Sequence, residues 1–274
     1  MQLKQLNGGY LKRIGEQMKI TVCELSNQMN VLEQEWQMLV NHVKSEQSDV
    51  VLLPEMPFFS WIAQTKQVDA EVWQASVKMH EHWMHRFTEL APAMLLSSCP
   101  VIKKGKHLNE AFVWDVVTGY KAVHHKHYLP NDEGWWEASW YEPGEKEFTV
   151  IQSGHGRIGF LICTEIWFNF HAREYAKQGI ELLVCPRATE LSSIDKWVAG
   201  GRTAAVVSGA YCLSSNYSPD NGKGNKWGGG GWIIEPEEGE VLGVTSIDQP
   251  FLTLEIDLSI AKTAKNSYPR NVLD

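Results

Sequence analysis

The sequence predicts an α/β fold in which two mixed β-sheets carry helices on their outer faces. Apolar runs of strand length alternate with segments of helical period between residues 20 and 215. Three strand-like runs separated by short turns interrupt this alternation between residues 93 and 127. Strand–helix units combined with hairpins indicate two sheets with helices outside them.

The first half of the chain combines amphipathic helices with a hairpin. Leu32, Trp36 and Val43 fall on one face of the first predicted helix. Thr118 and Gly119 mark the turn of the hairpin. The predicted elements are strand 20–25, helix 29–46, a strand that ends at Glu55, helix 70–89, and strands 93–99, 110–117 and 120–127.

The second half returns to the strand–helix alternation. Gly179 follows a helical segment directly, as glycine commonly does beyond a helix end. The glycine run 228–231 lacks a following Lys-Ser or Lys-Thr, so it is predicted as a flexible lead into a strand and not as a phosphate-binding loop. The predicted elements are strands 147–152 and 156–162, helix 168–178, strand 180–185, helix 193–208, and strands 210–215, 232–234 and 251–256.

Length and charge restrict the class of protein. The chain has 274 residues, which is long enough for one large domain. We predict that this domain covers residues 18–274 and that residues 1–17 are an N-terminal extension. A net charge of −8, with no compensating run of Lys and Arg, argues against a nucleic-acid partner. No stretch reaches 18 consecutive apolar residues, so no membrane span is predicted, and residues 1–17 do not resemble a signal peptide.

The cysteines indicate a reducing compartment. They are odd in number and widely spaced, and most of them fall in apolar runs: Cys23, Cys99, Cys163, Cys185 and Cys212. This pattern fits the cytoplasm and does not fit a disulfide framework.

A histidine cluster around Lys126 suggests a metal site at first sight. It consists of His124, His125 and His127. Neighbouring residues on a strand point to opposite faces, however, and no Cys-x-x-Cys or His-Glu-x-x-His spacing accompanies them. Neither a metal nor a cofactor is predicted.

Three polar residues associated with strand ends form the candidate catalytic group. Cys163 closes the apolar run 158–162, Glu55 closes the run 50–54, and Lys126 follows an alternating strand. A free thiol has a pKa of about 8.5, so it needs a base to take its proton or a cation to favour the thiolate. Glu55 is the candidate base and Lys126 the candidate cation.

Five segments in this order resemble the nitrilase superfamily of carbon–nitrogen hydrolases. They are Lys19–Val22, Leu52–Glu55, Lys126–Pro130, Gly159–Glu165 and Gly231–Val241. The resemblance extends from about Ile20 to Leu258. It implies an αββα sandwich that pairs into homodimers, with Glu55, Lys126 and Cys163 as the catalytic residues.

The resemblance also implies a second glutamate and a mechanism. Glu137, a few residues ahead of a Pro-Gly turn, matches the position of a glutamate that bonds the lysine or positions substrate. Glu133 and Glu142 are nearby alternatives for this position. In the implied reaction, Cys163 attacks an amide carbonyl and forms a thioester, and the backbone N–H of Thr164 helps to bind the oxyanion.

The substrate predicted from this resemblance is a small linear amide or an N-carbamoyl amine. The candidate substrate-binding residues are Thr164, Trp61, Tyr128, Trp167 and Arg187. Arg187 has two readings, since it could pair with a substrate carboxylate or serve as a structural ion-pair partner. Three alternatives stay open: a nitrilase acting on a nitrile, an acyl transferase, and a catalytically silent binding scaffold on the same fold.

Overall fold

A computed structural model describes residues 17–219 and 227–272, which form six α-helices and twelve β-strands. The helices are α1 (Met29–Glu46), α2 (Ala70–Met84), α3 (Glu137–Trp140), α4 (Asn169–Lys177), α5 (Ile194–Ser208) and α6 (Leu258–Ala264). The strands are β1 (Gln17–Leu25), β2 (Val50–Glu55), β3 (Met94–Lys103), β4 (Lys106–Asp115), β5 (Gly119–His125), β6 (Ile151–Ser153), β7 (Gly156–Phe160), β8 (Leu182–Pro186), β9 (Tyr211–Tyr217), β10 (Trp232–Ile234), β11 (Val241–Val244) and β12 (Phe251–Asp257). The predicted extension over residues 1–17 lies outside the described residues except for Gln17, which opens β1.

The strands form two six-stranded sheets that meet at one short seam. The first sheet runs β12-β1-β2-β3-β4-β5 and the second runs β6-β7-β8-β9-β10-β11. At the seam, Glu24 pairs with Asn216 and Leu25 pairs with Tyr217. Both sheets contain parallel and antiparallel neighbours, as expected for mixed sheets.

The two sheets face each other across a central apolar core. Val22 of β1 belongs to the same buried cluster as Phe160 and Val184 of the second sheet. On β2, the side chains of Val51 and Leu53 point away from this central core and belong to the buried cluster beneath α1. Helices α4 and α5 cover the other sheet in the same manner. The predicted αββα sandwich is therefore confirmed, and burial on both faces explains the near-continuous apolar runs of the central strands.

The first helix has the bounds that its periodicity predicts, Met29–Glu46. Its apolar face includes Trp36 and Leu39, both fully buried against the first sheet. Burial of a side chain such as Leu39 stabilises the fold by roughly 1.5–3 kcal/mol. The indole N–H of Trp36 donates to Glu89 at 3.0 Å, so the polar edge of this ring is also satisfied.

The second helix is shorter than the predicted span 70–89. Asp69 caps its first turn by accepting the backbone N–H groups of Glu71 and Val72 at 2.8 and 3.3 Å. Helix α2 ends at Met84, and a 3₁₀ turn over Phe87–Leu90 follows. The apolar residues at both ends of this 3₁₀ turn, Phe87 and Leu90, are fully buried in the core beneath α1.

The hairpin of β3 and β4 extends well beyond the predicted strands 93–99 and 110–117. The two strands continue to a two-residue turn at Lys104 and Gly105, whose φ angles are +51° and +78°. Positive φ at both central residues is typical of the tightest hairpin turns. The residues near this turn are charged, so the apolar pattern ends before the strands do and the prediction stopped short.

The glycine run 228–231 is closely enclosed, which contradicts its prediction as a flexible lead. Gly229 has a φ of +55°, and a Cβ added there would lie 2.5 Å from Oε2 of Glu24. The N–H of Gly230 donates to Glu24 at 2.9 Å, and its carbonyl accepts from Arg187 at 2.7 Å. Gly229 and Gly230 adopt positive φ, and at each of the four positions a Cβ would lie closer than 3.0 Å to a neighbouring atom, so the run has no room for side chains.

Candidate active site

The sequence-predicted lysine and both glutamates meet at one end of the sandwich. Glu55 is the last residue of β2, Lys126 follows β5, and Glu137 is the first residue of α3. The Nζ atom of Lys126 lies 2.7 Å from Oε1 of Glu55 and 2.6 Å from Oε2 of Glu137. All three residues are fully buried. An ammonium group between two carboxylates, shielded from water, therefore forms the floor of the site.

Asn109 on β4 aligns two of these residues, and sequence reasoning missed it. Its side-chain NH₂ group donates to Oε1 of Glu55 at 2.8 Å, and its backbone carbonyl oxygen accepts the backbone N–H of Lys126 at 2.9 Å. Among the described residues, Oε2 of Glu55 has no hydrogen-bond partner. One oxygen of Glu55 is thus held by two donors, and the other is available to accept a proton.

Cys163 is presented on a sharp turn just beyond β7. The last regular residue of this strand is Phe160, and Leu161 still donates to Val184 of β8 at 2.9 Å. Cys163 then adopts a φ of +48° at the start of a 3₁₀ turn over residues 163–167. Such a φ costs a non-glycine residue about 1–3 kcal/mol, and it turns the side chain away from the strand direction. The backbone N–H of Ala188 acts on the sulfur and lowers the pKa of the thiol, although by less than burial raises it.

The electrostatics of the site keep the Cys163 thiol protonated at rest. Burial raises the pKa of Cys163, the charge of Glu55 raises it further, and the charge of Lys126 lowers it by less. A neutral thiol is a weak nucleophile, so attack by this sulfur would require the loss of its proton. Glu55 is the carboxylate whose charge acts most strongly on this sulfur.

Lys126 and Glu137 respond differently to the same burial. Burial alone would lower the pKa of Lys126, but the charges of Glu137 and Glu55 outweigh it and raise that pKa. Burial raises the pKa of Glu137 to about 7, Lys126 opposes this shift, and Glu55 adds to it. The lysine therefore stays an ammonium ion at neutral pH.

The three histidines around Lys126 are each engaged by a different partner. His124 bonds Glu165 at 2.8 Å, His125 bonds Glu110 at 2.6 Å, and His127 bonds the carbonyl oxygen of Gly144 at 2.7 Å. They therefore point in different directions. In residues 17–219 and 227–272, no group of His, Cys, Asp and Glu side chains is arranged to hold a metal ion.

Trp61, a predicted substrate-binding residue, lies in an aromatic cluster next to the candidate catalytic group. Its ring centroid is 5.6 Å from that of Trp135 and 6.1 Å from that of Trp227. The same apolar cluster includes Ala188, whose backbone N–H lowers the pKa of the Cys163 thiol. Neither Trp135 nor Trp227, which precedes the glycine run, is among the substrate-binding residues predicted from the sequence.

Tyr128 and Trp167 lie against the second sheet's helices. The Tyr128 ring stacks on Phe168 with centroids 3.6 Å apart, and its hydroxyl bonds His171 at 3.0 Å. Trp167 is 36% exposed and packs against Trp197 of α5. Both side chains are therefore occupied by packing contacts outside the Trp61 cluster.

Thr164 and Arg187 lie next to residues of the candidate catalytic group in different ways. Thr164 is half-buried and directly follows Cys163, as a backbone oxyanion donor must. Arg187 is fully buried and directs its guanidinium at Ser214, Thr189 and the Gly230 carbonyl, each at 2.7 Å. Of the two readings of Arg187, these contacts favour the structural one, although its partners are neutral groups and not an ion pair.

None of the helices formed by the described residues has the length and apolar composition needed to cross a membrane.

Several curated proteins are similar to this chain in sequence. Hydrolase C26A3.11 of Schizosaccharomyces pombe is 26% identical over 236 residues, which cover 81% of this chain and 70% of that protein. The chloroplastic omega-amidase of Arabidopsis thaliana is 31% identical over 55% of this chain and 42% of its own length. The N-carbamoylputrescine amidase of Solanum tuberosum is 33% identical over 37% of each chain. The last two alignments thus span less than half of those relatives.

Solved structures share the fold over nearly the whole chain. A carbon–nitrogen hydrolase from Helicobacter pylori G27 matches with a TM-score of 0.82 at 21% identity, covering 93% of this chain and 94% of that one. Nit3 of Saccharomyces cerevisiae, described as a member of branch 10 of the nitrilase superfamily, matches with a TM-score of 0.72 at 18% identity, covering 92% and 94% of the two chains.

The family model for carbon-nitrogen hydrolases matches residues 17–266, which include every strand and every helix described above. The chain therefore belongs to the carbon–nitrogen hydrolase family.

Proposed function

We propose that this protein is a thiol-dependent amidohydrolase that cleaves the C–N bond of a small linear amide or N-carbamoyl amine. The observation that carries the proposal is the Lys126 ammonium between Glu55 and Glu137, set beside the buried thiol of Cys163. A base, a cation and a nucleophile in one enclosed site are the groups that acyl transfer through a thioester requires.

The first half of the proposed reaction forms the thioester. The Cys163 sulfur attacks the carbonyl carbon while Oε2 of Glu55 accepts the thiol proton. Lys126 and the backbone N–H of Thr164 bind the negative charge that develops on the carbonyl oxygen. Glu55 then returns its proton to the nitrogen, the C–N bond breaks, and ammonia or an amine leaves.

The second half hydrolyses the thioester. Glu55 takes a proton from a water molecule, whose oxygen attacks the acyl carbon. The C–S bond then breaks, the acid leaves, and Glu55 returns the proton to the sulfur, which restores the Cys163 thiol. Glu137 also contacts the Lys126 ammonium, at 2.6 Å, and so keeps it at the oxyanion in both halves. No step requires a metal or a cofactor.

The substrate class rests on relatives and on the wall of the site. The curated relatives include proteins named omega-amidase, N-carbamoylputrescine amidase and citrullinase. The cluster of Trp61, Trp135 and Trp227 provides an apolar wall for the part of the substrate beyond the reacting carbonyl.

The proposed activity is tested by measuring ammonia released from a panel of carbamoyl compounds, ω-amides and nitriles. We expect turnover of an amide or carbamoyl compound by the wild-type protein and none by Cys163→Ala. Cys212→Ala is the matched control, since Cys212 is also a buried thiol but belongs to the core beneath α5. Turnover confined to nitriles would make the protein a nitrilase, and full activity of Cys163→Ala would contradict the thioester mechanism.

We further propose that the protein forms a homodimer in the cytoplasm. The homodimer is the assembly that the family resemblance implies, and Trp167 and Phe170 leave an apolar surface, 36% and 51% exposed, beside α5. A second copy of the chain is the partner proposed for this surface. The cytoplasm is proposed because all five cysteines are buried thiols and none forms a disulfide within the described residues.

A further inference from the structure

We propose that Glu165 is a positioning residue whose buried carboxylate holds the Lys126 segment and the Cys163 turn in one fixed geometry. The inference rests on the proposed thiol chemistry and adds a residue to it. Glu165 lies two positions after the nucleophile in the 3₁₀ turn and is completely buried.

The carboxylate bonds the chain directly next to both catalytic residues. Its Oε2 atom accepts the backbone N–H of Ile162, the residue before Cys163, at 2.8 Å. Its Oε1 atom accepts the backbone N–H of His127, the residue after Lys126, at 2.7 Å. A single side chain therefore fixes the distance between two segments that come from different sheets.

His124 completes this arrangement. Its Nε2 atom lies 2.8 Å from Oε2 of Glu165, so the carboxylate receives three contacts. The contacts with His124, His127 and Ile162 together outweigh burial and lower the pKa of Glu165. A buried carboxylate with all of its contacts to donors is rigid, because any rotation would leave an N–H group unpaired.

The catalytic residues do not supply this link themselves. Glu55, Lys126 and Glu137 are held to one another by direct contacts, and Cys163 is on the other sheet. The sulfur has to approach the substrate carbonyl while Lys126 binds the oxyanion, so the spacing of their two segments decides how well both occur together. Glu165 is the side chain that bonds both segments.

The test compares Glu165→Gln with Glu181→Gln. Glutamine has the length of glutamate but carries one acceptor oxygen and one NH₂ donor group. It therefore cannot accept the N–H of Ile162 on one terminal atom and the N–H of His127 on the other. Glu181 is a matched control, because its carboxylate also accepts a backbone N–H, that of Arg157 at 2.7 Å, and is 8% exposed. It lies at the opposite end of the second sheet from Cys163.

We expect Glu165→Gln to lose kcat by on the order of 100-fold with little change in KM, since the substrate wall is untouched. Glu181→Gln should retain the wild-type kcat even where its thermal stability falls equally. Wild-type kcat in Glu165→Gln would overturn the inference. Should Glu165→Gln fail to fold, Glu165→Asp keeps the charge but is too short to reach both segments, so it should also lose kcat.

A second readout needs no substrate. The rate at which iodoacetamide alkylates Cys163 is followed against pH by peptide mass spectrometry. The midpoint of this profile should shift in Glu165→Gln and stay at the wild-type value in Glu181→Gln, and an unshifted midpoint in both variants overturns the inference. If wild-type protein hydrolyses no compound in the panel, the proposed function fails, and the alkylation profile alone decides the positioning inference.

Discussion

Lys126 is the residue on which the charge balance of the site depends. Its ammonium is the only cationic group in contact with Glu55 and Glu137 among the described residues. Bringing two carboxylates into a site without water is costly, and one ammonium between them offsets part of that cost. The site is therefore arranged for chemistry at the expense of stability.

We expect Lys126→Met to abolish turnover and to lower the free energy of unfolding by about 3–5 kcal/mol, because two buried carboxylates lose their counterion. Urea-induced unfolding measures the change. The matched control is Lys106→Met, which removes an exposed pair with Glu142 at 3.6 Å and should cost at most about 1 kcal/mol. Equal losses in the two variants would contradict this account of the site.

Glu137 should make the stability of the protein depend on pH. Its pKa is raised from 4.5 to about 7, so the folded protein keeps a proton that the unfolded chain releases above pH 4.5. The contribution is fully present below pH 4.5 and is lost as pH rises through about 7. Within this window it lowers the free energy of unfolding by up to about 1.4 kcal/mol per pH unit.

We expect Glu137→Gln to flatten this part of the stability profile, since glutamine does not titrate. Unfolding in urea at a series of pH values between 4.5 and 7 measures it. Glu142→Gln removes a neighbouring exposed carboxylate and should leave the slope as in the wild type. A wild-type slope in Glu137→Gln would show that another group titrates.

Sequence alone indicated the residues of the candidate site that stand at strand ends. It did not indicate the side chains, Asn109 and Glu165, that hold these residues in place. Glu55 and Cys163 follow long apolar runs, so their positions are readable from pattern. Asn109 lies inside β4, and the contact between Glu165 and His127 joins residues 38 positions apart. Pattern does not report which side chain faces which across two sheets.

At the scale of elements, the bounds of helices with a periodic buried face were predicted well. Exposed strands and closely enclosed loops were predicted poorly. Helix α1 has its predicted bounds because five of its side chains are buried at helical spacing. Strand β11, of which no residue is fully buried, was not predicted. The run 228–231 looked flexible because glycine composition indicates freedom of the chain, whereas here it reflects positive φ and close approach.

We expect Gly229→Ala to destabilise the protein by more than Gly105→Ala. Alanine at either position adopts a left-handed φ, at a cost of about 1–2 kcal/mol. At Gly105 the new methyl group meets open space, while at Gly229 it meets the buried carboxylate of Glu24. The urea concentrations at the unfolding midpoints compare the two variants. Equal midpoints would mean that the run 228–231 accommodates the methyl group with no loss of stability.

At the scale of the whole molecule, the proposed homodimer places the surface of Trp167 and Phe170 between two copies of the chain. We expect Phe170→Glu to shift the protein toward the monomer in sedimentation velocity, because a charge would be buried at an apolar interface. Val117→Glu is the control, since Val117 is 88% exposed at the turn between β4 and β5. Dimers that persist in Phe170→Glu would place the interface elsewhere.

The seam between β1 and β9 has a consequence for how the enzyme regains activity after denaturation. The proposed general base, Glu55, ends a strand of one sheet, the proposed nucleophile, Cys163, follows a strand of the other, and two residue pairs join the ladders. Each sheet can acquire its own backbone hydrogen bonds while the two remain apart. A refolding chain should thus recover its far-ultraviolet circular dichroism before it releases any ammonia, and the delay between the two signals measures the docking of the halves.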